Sequence, residues 1–161
     1  MKSSVKTLIL GLGNELLSDD AVGILAARAL RERLKDKADV VESALSGMAL
    51  LDLFLGYERA IIIDAVKTGQ SPPGTIYELT PSDLSTVLAP SPHYAGLPEL
   101  IATATALKLD FPKVIKIFAM EVEDPYTIGG KLSSAVAQAF HELVQRVEGQ
   151  ITHWLAPSPQ T

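Results

Sequence analysis

Apolar positions along this chain follow two alternating rhythms. Nearly unbroken apolar or β-branched runs occupy Val5 to Leu10, Arg59 to Asp64 and Val114 to Met120, centred on Ile9, Ile62 and Ile117. Such runs predict strands covered on both faces. Asp39 to Glu42 and Thr75 to Leu79 are two further strand candidates. Between the runs the spacing becomes helical. Asp19 to Leu34 gathers Val22, Leu25, Ala26, Ala29 and Leu30 on one face and keeps Arg28, Arg31 and Arg33 mostly off it. Ser46 reads as the N-cap of a short helix through Leu55 that Gly56 stops. Leu97 to Lys108 repeats Leu97, Leu100, Ile101 and Ala104, and Leu132 to Val147 carries the clearest stripe, from Leu132 and Val136 through Leu143 to Val147.

This alternation predicts a single-domain three-layer α/β sandwich, with a mostly parallel twisted sheet and helices on both faces. The domain is expected over residues 1–150, followed by a partly disordered tail over 151–161 in which Ala156 to Thr161 is proline-rich and Trp154 and Leu155 dock back. Lys67 to Gly74 and Thr80 to Tyr94 read as surface loops, the second with one turn of helix near Asp83 to Val87.

Composition narrows the functional classes. A chain of 161 residues, 47% apolar and 20% charged, suits one globular core. A net charge of −5 argues against a nucleic-acid partner. The absence of cysteine removes thiol nucleophiles, thiolate metal sites and disulfides, and fits a cytoplasmic protein. Leu8-Ile9-Leu10 is too short for a signal-peptide core. No stretch approaches the ~20 apolar residues of a membrane span.

Three polar residues fall where the predicted topology places ligands. Glu15 lies in the glycine turn after the first run, Asp64 ends the run at Ile61-Ile62-Ile63, and His93 sits in a proline-bounded loop before a helix. Open α/β sheets bind ligands outside the carboxyl ends of their strands. Two carboxylates and an imidazole there form a candidate site for a divalent metal. Glu121, Glu123 and Asp124 approach the same edge, whereas His141 reads as a surface or boundary residue of the last helix. A competing reading takes Gly11-Leu12-Gly13 as a dinucleotide-binding turn, with Glu42 as the acidic residue. It lacks the third glycine, because Leu16 stands there, and Glu15 would face the pyrophosphate. Asp19 and Asp20 read as helix-start residues that favour the positive end of the dipole. No G-x-S-x-G elbow, Walker-type loop or H-E-x-x-H helix occurs.

Gly11-Leu12-Gly13-Asn14-Glu15-Leu16-Leu17-Ser18-Asp19-Asp20, Ile63-Asp64-Ala65-Val66 and Ser91-Pro92-His93-Tyr94-Ala95-Gly96-Leu97 resemble the signature segments of the hydrogenase maturation endopeptidases. Pro125 to Val136 is similar to the family's last segment. One departure is Ala21, where family members often have glycine after the Asp-Asp pair. The resemblance implies a peptide-bond hydrolase, grouped with aspartyl proteases. It would remove a C-terminal extension from the nickel-loaded large-subunit precursor of a nickel–iron hydrogenase. By the same resemblance Glu15, Asp64 and His93 are the nickel-contacting and catalytic residues. The nickel would arrive within the substrate, and another divalent metal such as zinc could occupy the site. The expected partner is that precursor, with no nucleic acid and no membrane insertion, and the expected state a cytoplasmic monomer. Two roles stay open for the ion, chemistry at the scissile carbonyl or docking of the substrate, and Asp64 or Glu15 could serve as general base. A non-catalytic nickel-sensing assembly protein is the alternative from another class, and a nucleotide-binding Rossmann-like enzyme the lesser one.

Overall fold

A computed structural model describes residues 5–85 and 91–157. Five strands form one sheet: β1 (Thr7–Leu12), β2 (Asp39–Ser43), β3 (Arg59–Val66), β4 (Ile76–Leu79) and β5 (Val114–Glu121). Their order is β2-β1-β3-β5-β4. All pairs are parallel except β4 with β5, which is antiparallel and closes one edge. Helices α1 (Val22–Arg33) and α4 (Ser134–Leu155) cover one face, and α2 (Leu51–Phe54) and α3 (Leu97–Ala106) the other.

The apolar runs explain the two cores. In β3, Ile61 and Ile63 pack with α1 and α4, whereas Ala60 and Ile62 pack with α2 and α3, as the two-residue period of a strand requires. Phe118 and Met120 of β5 join the first core, Ile117 and Ala119 the second. The expected three-layer sandwich is the observed architecture. Among the described residues, no helix is long and apolar enough to cross a membrane.

Several boundaries differ from the sequence reading. β3 continues two residues past Asp64, because Ala65 and Val66 pair with Met120 and Glu121. Helix α4 runs to Leu155 rather than Val147, since Ile151 is buried in the core and Trp154 packs against it. Core packing along α4 thus continues to Ile151 and Trp154. Arg59 helps to hold this end, donating to the Trp154 carbonyl at 2.9 Å with its guanidinium over the Trp154 ring. The segment after Ser46 forms a 3-10 turn, Gly47–Leu50, before the short α2, and Ser46 makes no capping bond. Another 3-10 turn spans Pro81–Ser85. The remainder of the turn expected toward Val87, and the tail from Ser158 to Thr161, lie outside the described residues.

Close backbone approaches set the carboxyl edge. A Cβ on Gly23 would lie 2.4 Å from the carbonyl oxygens of both Leu12 and Ile63, so α1 starts directly on β1 and β3. Gly13 has φ +148, and a Cβ there would lie 2.1 Å from the Asp20 carbonyl oxygen. Only glycine admits this conformation and this contact. Ala21 is buried without difficulty, so the glycine that matters after the Asp-Asp pair is Gly23.

Candidate functional site

The strand order reverses at β1, with β2 added on one side and β3 on the other, and ligand crevices form at such switch points. Asp64 lies in β3 at this edge and faces the α2/α3 side with Ile62. It is fully buried. Its Oδ1 accepts from the Ala65 amide at 2.8 Å, and its Oδ2 accepts from the Ser91 hydroxyl. The Nδ1 of His93 is 3.1 Å from Asp64 Oδ2 and 3.1 Å from Ser91 Oγ. The His93 amide also donates to Ser91 Oγ, at 3.2 Å. Tyr94, fully buried beneath the cleft, anchors this loop in the core.

The third member of the cluster is Asp20. Ligating atoms of Asp20, Asp64 and His93 lie within 4.8 Å of one another. Asp20 projects from a 3-10 turn, Ser18–Ala21, between β1 and α1, and its Oδ2 accepts from the Asn14 amide at 2.8 Å. Glu15, the other carboxylate expected at this site, lies apart from the cluster. Glu15 sits at the same edge, but its carboxylate turns to α1 and pairs with Arg28 at 2.6 Å. It is half exposed and lines a neighbouring concavity instead. The structure thus brings Asp64 and His93 together and leaves Glu15 outside.

Three further positions stand out at this edge, Asp20, Ser91 and Asp19. Asp20 reads in the sequence as a helix-start residue, and nothing there sets it apart from Glu15 in the same connection. Ser91 lay in the quoted loop segment without a role. Asp19 is fully buried and receives bonds from the amides of Glu123, Asp124 and Ser133 and from the Ser133 hydroxyl. It ties the loop after β5 to the turn after β1. Glu121 has a comparable role for the loop after β3, accepting from Thr68, Gly69 and Tyr77. Asp124 closes its own turn on Tyr126 and Thr127, and those bonds hold its pKa down.

Electrostatics couple the two inner residues. Hydrogen bonding to the Asp64 carboxylate pushes the His93 pKa up despite its partial burial. Burial pushes the Asp64 pKa up, opposed by the bonds from His93 and Ser91. One nitrogen and two carboxylates fit a borderline divalent ion, and Asp20 and His93 line a cleft of about 460 Å3 while Asp64 lies buried behind them. Asn14, Leu17, Val66, Lys67 and Tyr126 are among the other residues lining this cleft.

Known proteins share both sequence and fold with this chain. The sequence model described as hydrogenase maturation protease matches residues 24–150. The hydrogenase 2 maturation protease of Escherichia coli (strain K12) is 31% identical over 117 residues, which cover 70% of this chain and 71% of that protein. A hydrogenase expression/formation protein HoxM of Cupriavidus necator is 25% identical over 158 residues, covering 94% of this chain and 77% of its own. The solved structure of the [NiFe] hydrogenase maturation protease HybD from Thermococcus kodakarensis superposes with a TM-score of 0.73 at 28% identity, over 91% of this chain and 99% of that one. The hydrogenase maturating endopeptidase HybD from E. coli shares the fold with a TM-score of 0.80 at 24% identity, over 94% of each chain. By its sequence match and its fold, this chain belongs to the hydrogenase maturation protease family.

Proposed function

We propose that this chain is the endopeptidase that removes a C-terminal extension from the large-subunit precursor of a nickel–iron hydrogenase, and that Asp20, Asp64 and His93 receive the nickel carried by that precursor. The observation that supports the reading most directly is the convergence of these three side chains at the switch point of a maturation-protease fold. The nickel is part of the substrate, and when bound it would polarise nearby carbonyl groups as a Lewis acid. The protein's own residues orient and position. Asp64 and Ser91 fix the His93 ring through Nδ1, and an ion held between His93 and Asp64 displaces the proton that these two groups share. A second ligand role for Asp64 uses acceptor capacity its two oxygens still hold, since a carboxylate offers about four lone-pair sites. Asp20 is the less buried carboxylate, and it is the group placed to accept a proton from an attacking water. Glu15 is not assigned to this machinery. The proposed setting is a cytoplasmic monomer acting late in assembly.

Incubation with the nickel-loaded precursor tests the activity. The precursor should lose one defined C-terminal peptide by mass spectrometry, while the metal-free precursor stays at full mass. Binding of nickel-loaded precursor without any mass loss would favour the sensing role instead.

Metal affinity should depend on pH with a definite sign. The fold favours the protonated forms of both His93 and Asp64, so an incoming ion competes with protons above the ordinary imidazole pKa of about 6.5. Calorimetric affinity for zinc or nickel should therefore rise from about pH 5.5 through and beyond pH 7. His93→Ala should bind more weakly and lose most of this slope. An equal slope in that variant would remove His93 from the ligand set.

A further inference from the structure

The cleft is much larger than an ion requires, and its surroundings are unexpectedly apolar. A second concavity of about 370 Å3 lies between the turn after β1 and the loop after β2, and it meets the first at Asn14 and Ala44. Its polar wall carries Glu15 and Glu42, whose charges are matched by Arg28 and Arg31. Leu16 and Tyr126 line the two concavities, and Leu45, Met48 and Ile128 are further exposed large apolar side chains on the connections of the carboxyl edge. Ile128 is 80% exposed, Tyr126 70% and Leu16 64%. By contrast, the exposed Leu107 ends α3 at the opposite edge.

The rim is built rather than loose. Leu17 and Ile128 form an antiparallel bridge, and the Gly129 amide donates to the Leu16 carbonyl at 2.8 Å. The Lys67 ammonium lies 5.3 Å from the centre of the Tyr126 ring and donates to the Glu123 carbonyl at 2.7 Å. A backbone fixed in this way loses little conformational freedom on binding.

We propose that this double groove seats the extended precursor chain flanking the scissile bond, with apolar precursor side chains against Leu16, Leu45, Met48, Tyr126 and Ile128. The inference rests on the endopeptidase reading and adds the chemistry of the recognised segment. A nickel ion fills only a small part of the two concavities, so the chain delivering it must fill the rest. Continuity with the triad selects that chain over other occupants, because Tyr126 both lines the ion's cleft and forms the rim. A second copy is a poor match: its rim would repeat the same protruding tips, leave the concavities unfilled and bring two chains of net charge −5 together.

Leu16→Ser, Met48→Ser and Ile128→Ser test the proposal, with Leu107→Ser as the control. Each rim variant should raise KM for the nickel-loaded precursor about tenfold. Turnover and calorimetric zinc affinity should stay near wild type, as should melting temperature. Leu107→Ser should change none of these. If a serine variant melts early, the alanine variant at that position replaces it in the same assay. Unchanged KM in the rim variants, while the wild-type chain processes the precursor, would overturn the groove and leave the endopeptidase reading standing. No processing by the wild-type chain would overturn both. Sedimentation showing a wild-type dimer that the rim variants dissociate would assign the surface to self-association and overturn the proposal.

Discussion

A chain carrying His93→Ala should leave the nickel-loaded precursor at its full mass, with processing slowed at least about a hundredfold. Asp20→Ala and Asp64→Asn should do the same, each by removing or neutralising one member of the cluster. The choice of asparagine at position 64 matters. Alanine there would strip acceptors from the Ser91 hydroxyl, the His93 ring and the Ala65 amide, confusing lost chemistry with lost structure. Glu15→Ala separates the triad from its neighbour. Its carboxylate pairs with Arg28 on an exposed face, so the variant should keep wild-type zinc affinity, whereas Asp20→Ala should lose most of it. Calorimetry and precursor mass measured side by side decide between the two carboxylates. Loss of metal affinity in Glu15→Ala with normal affinity in Asp20→Ala would reverse the assignment.

The second large effect is on stability. Asp19→Ala should destabilise the fold by about 3–5 kcal/mol, because it leaves three backbone amides and the Ser133 hydroxyl without their acceptor in a part-buried setting. For a domain of this size each kcal/mol shifts the melting temperature by about 2–4 °C, so a drop of about 10 °C is expected by calorimetry. Asp19→Asn keeps one acceptor oxygen and should lose less. A melting temperature within 2 °C of wild type in Asp19→Ala, a margin set by about 0.5–1 kcal/mol, would show that water replaces the carboxylate.

Much of the fold is legible in the order of residues, for a physical reason. Strands covered on both faces must be apolar nearly throughout, so Ile61-Ile62-Ile63 admits few other readings. The ends of elements are less legible. The stripe of α4 continues through Ile151 and Trp154, but a glycine at 149 and a polar composition obscure it. Asp64 looks like a strand end because it is charged, yet its neighbour β5 carries the ladder two residues further. Asp64 and His93 were accessible from topology alone. Asp20 was not, because Glu15 and Asp20 occupy the same short connection. A 3-10 turn, rather than any difference in residue chemistry, directs one carboxylate into the cleft and the other to Arg28. Asp19 was hidden for a related reason: its partners lie more than a hundred residues away.

The placement of α4 has a consequence for synthesis. The α2/α3 side of the sheet can close once β5 has formed, because its covering helices precede that strand. The other face, with Ile61, Ile63, Phe118 and Met120, is shared by α1 and α4 and stays half bare until residues 134–155 have emerged. A nascent chain paused before α4 would therefore present an adhesive apolar sheet face to its surroundings. The sheet face that α1 begins to cover is completed only by the last helix of the chain.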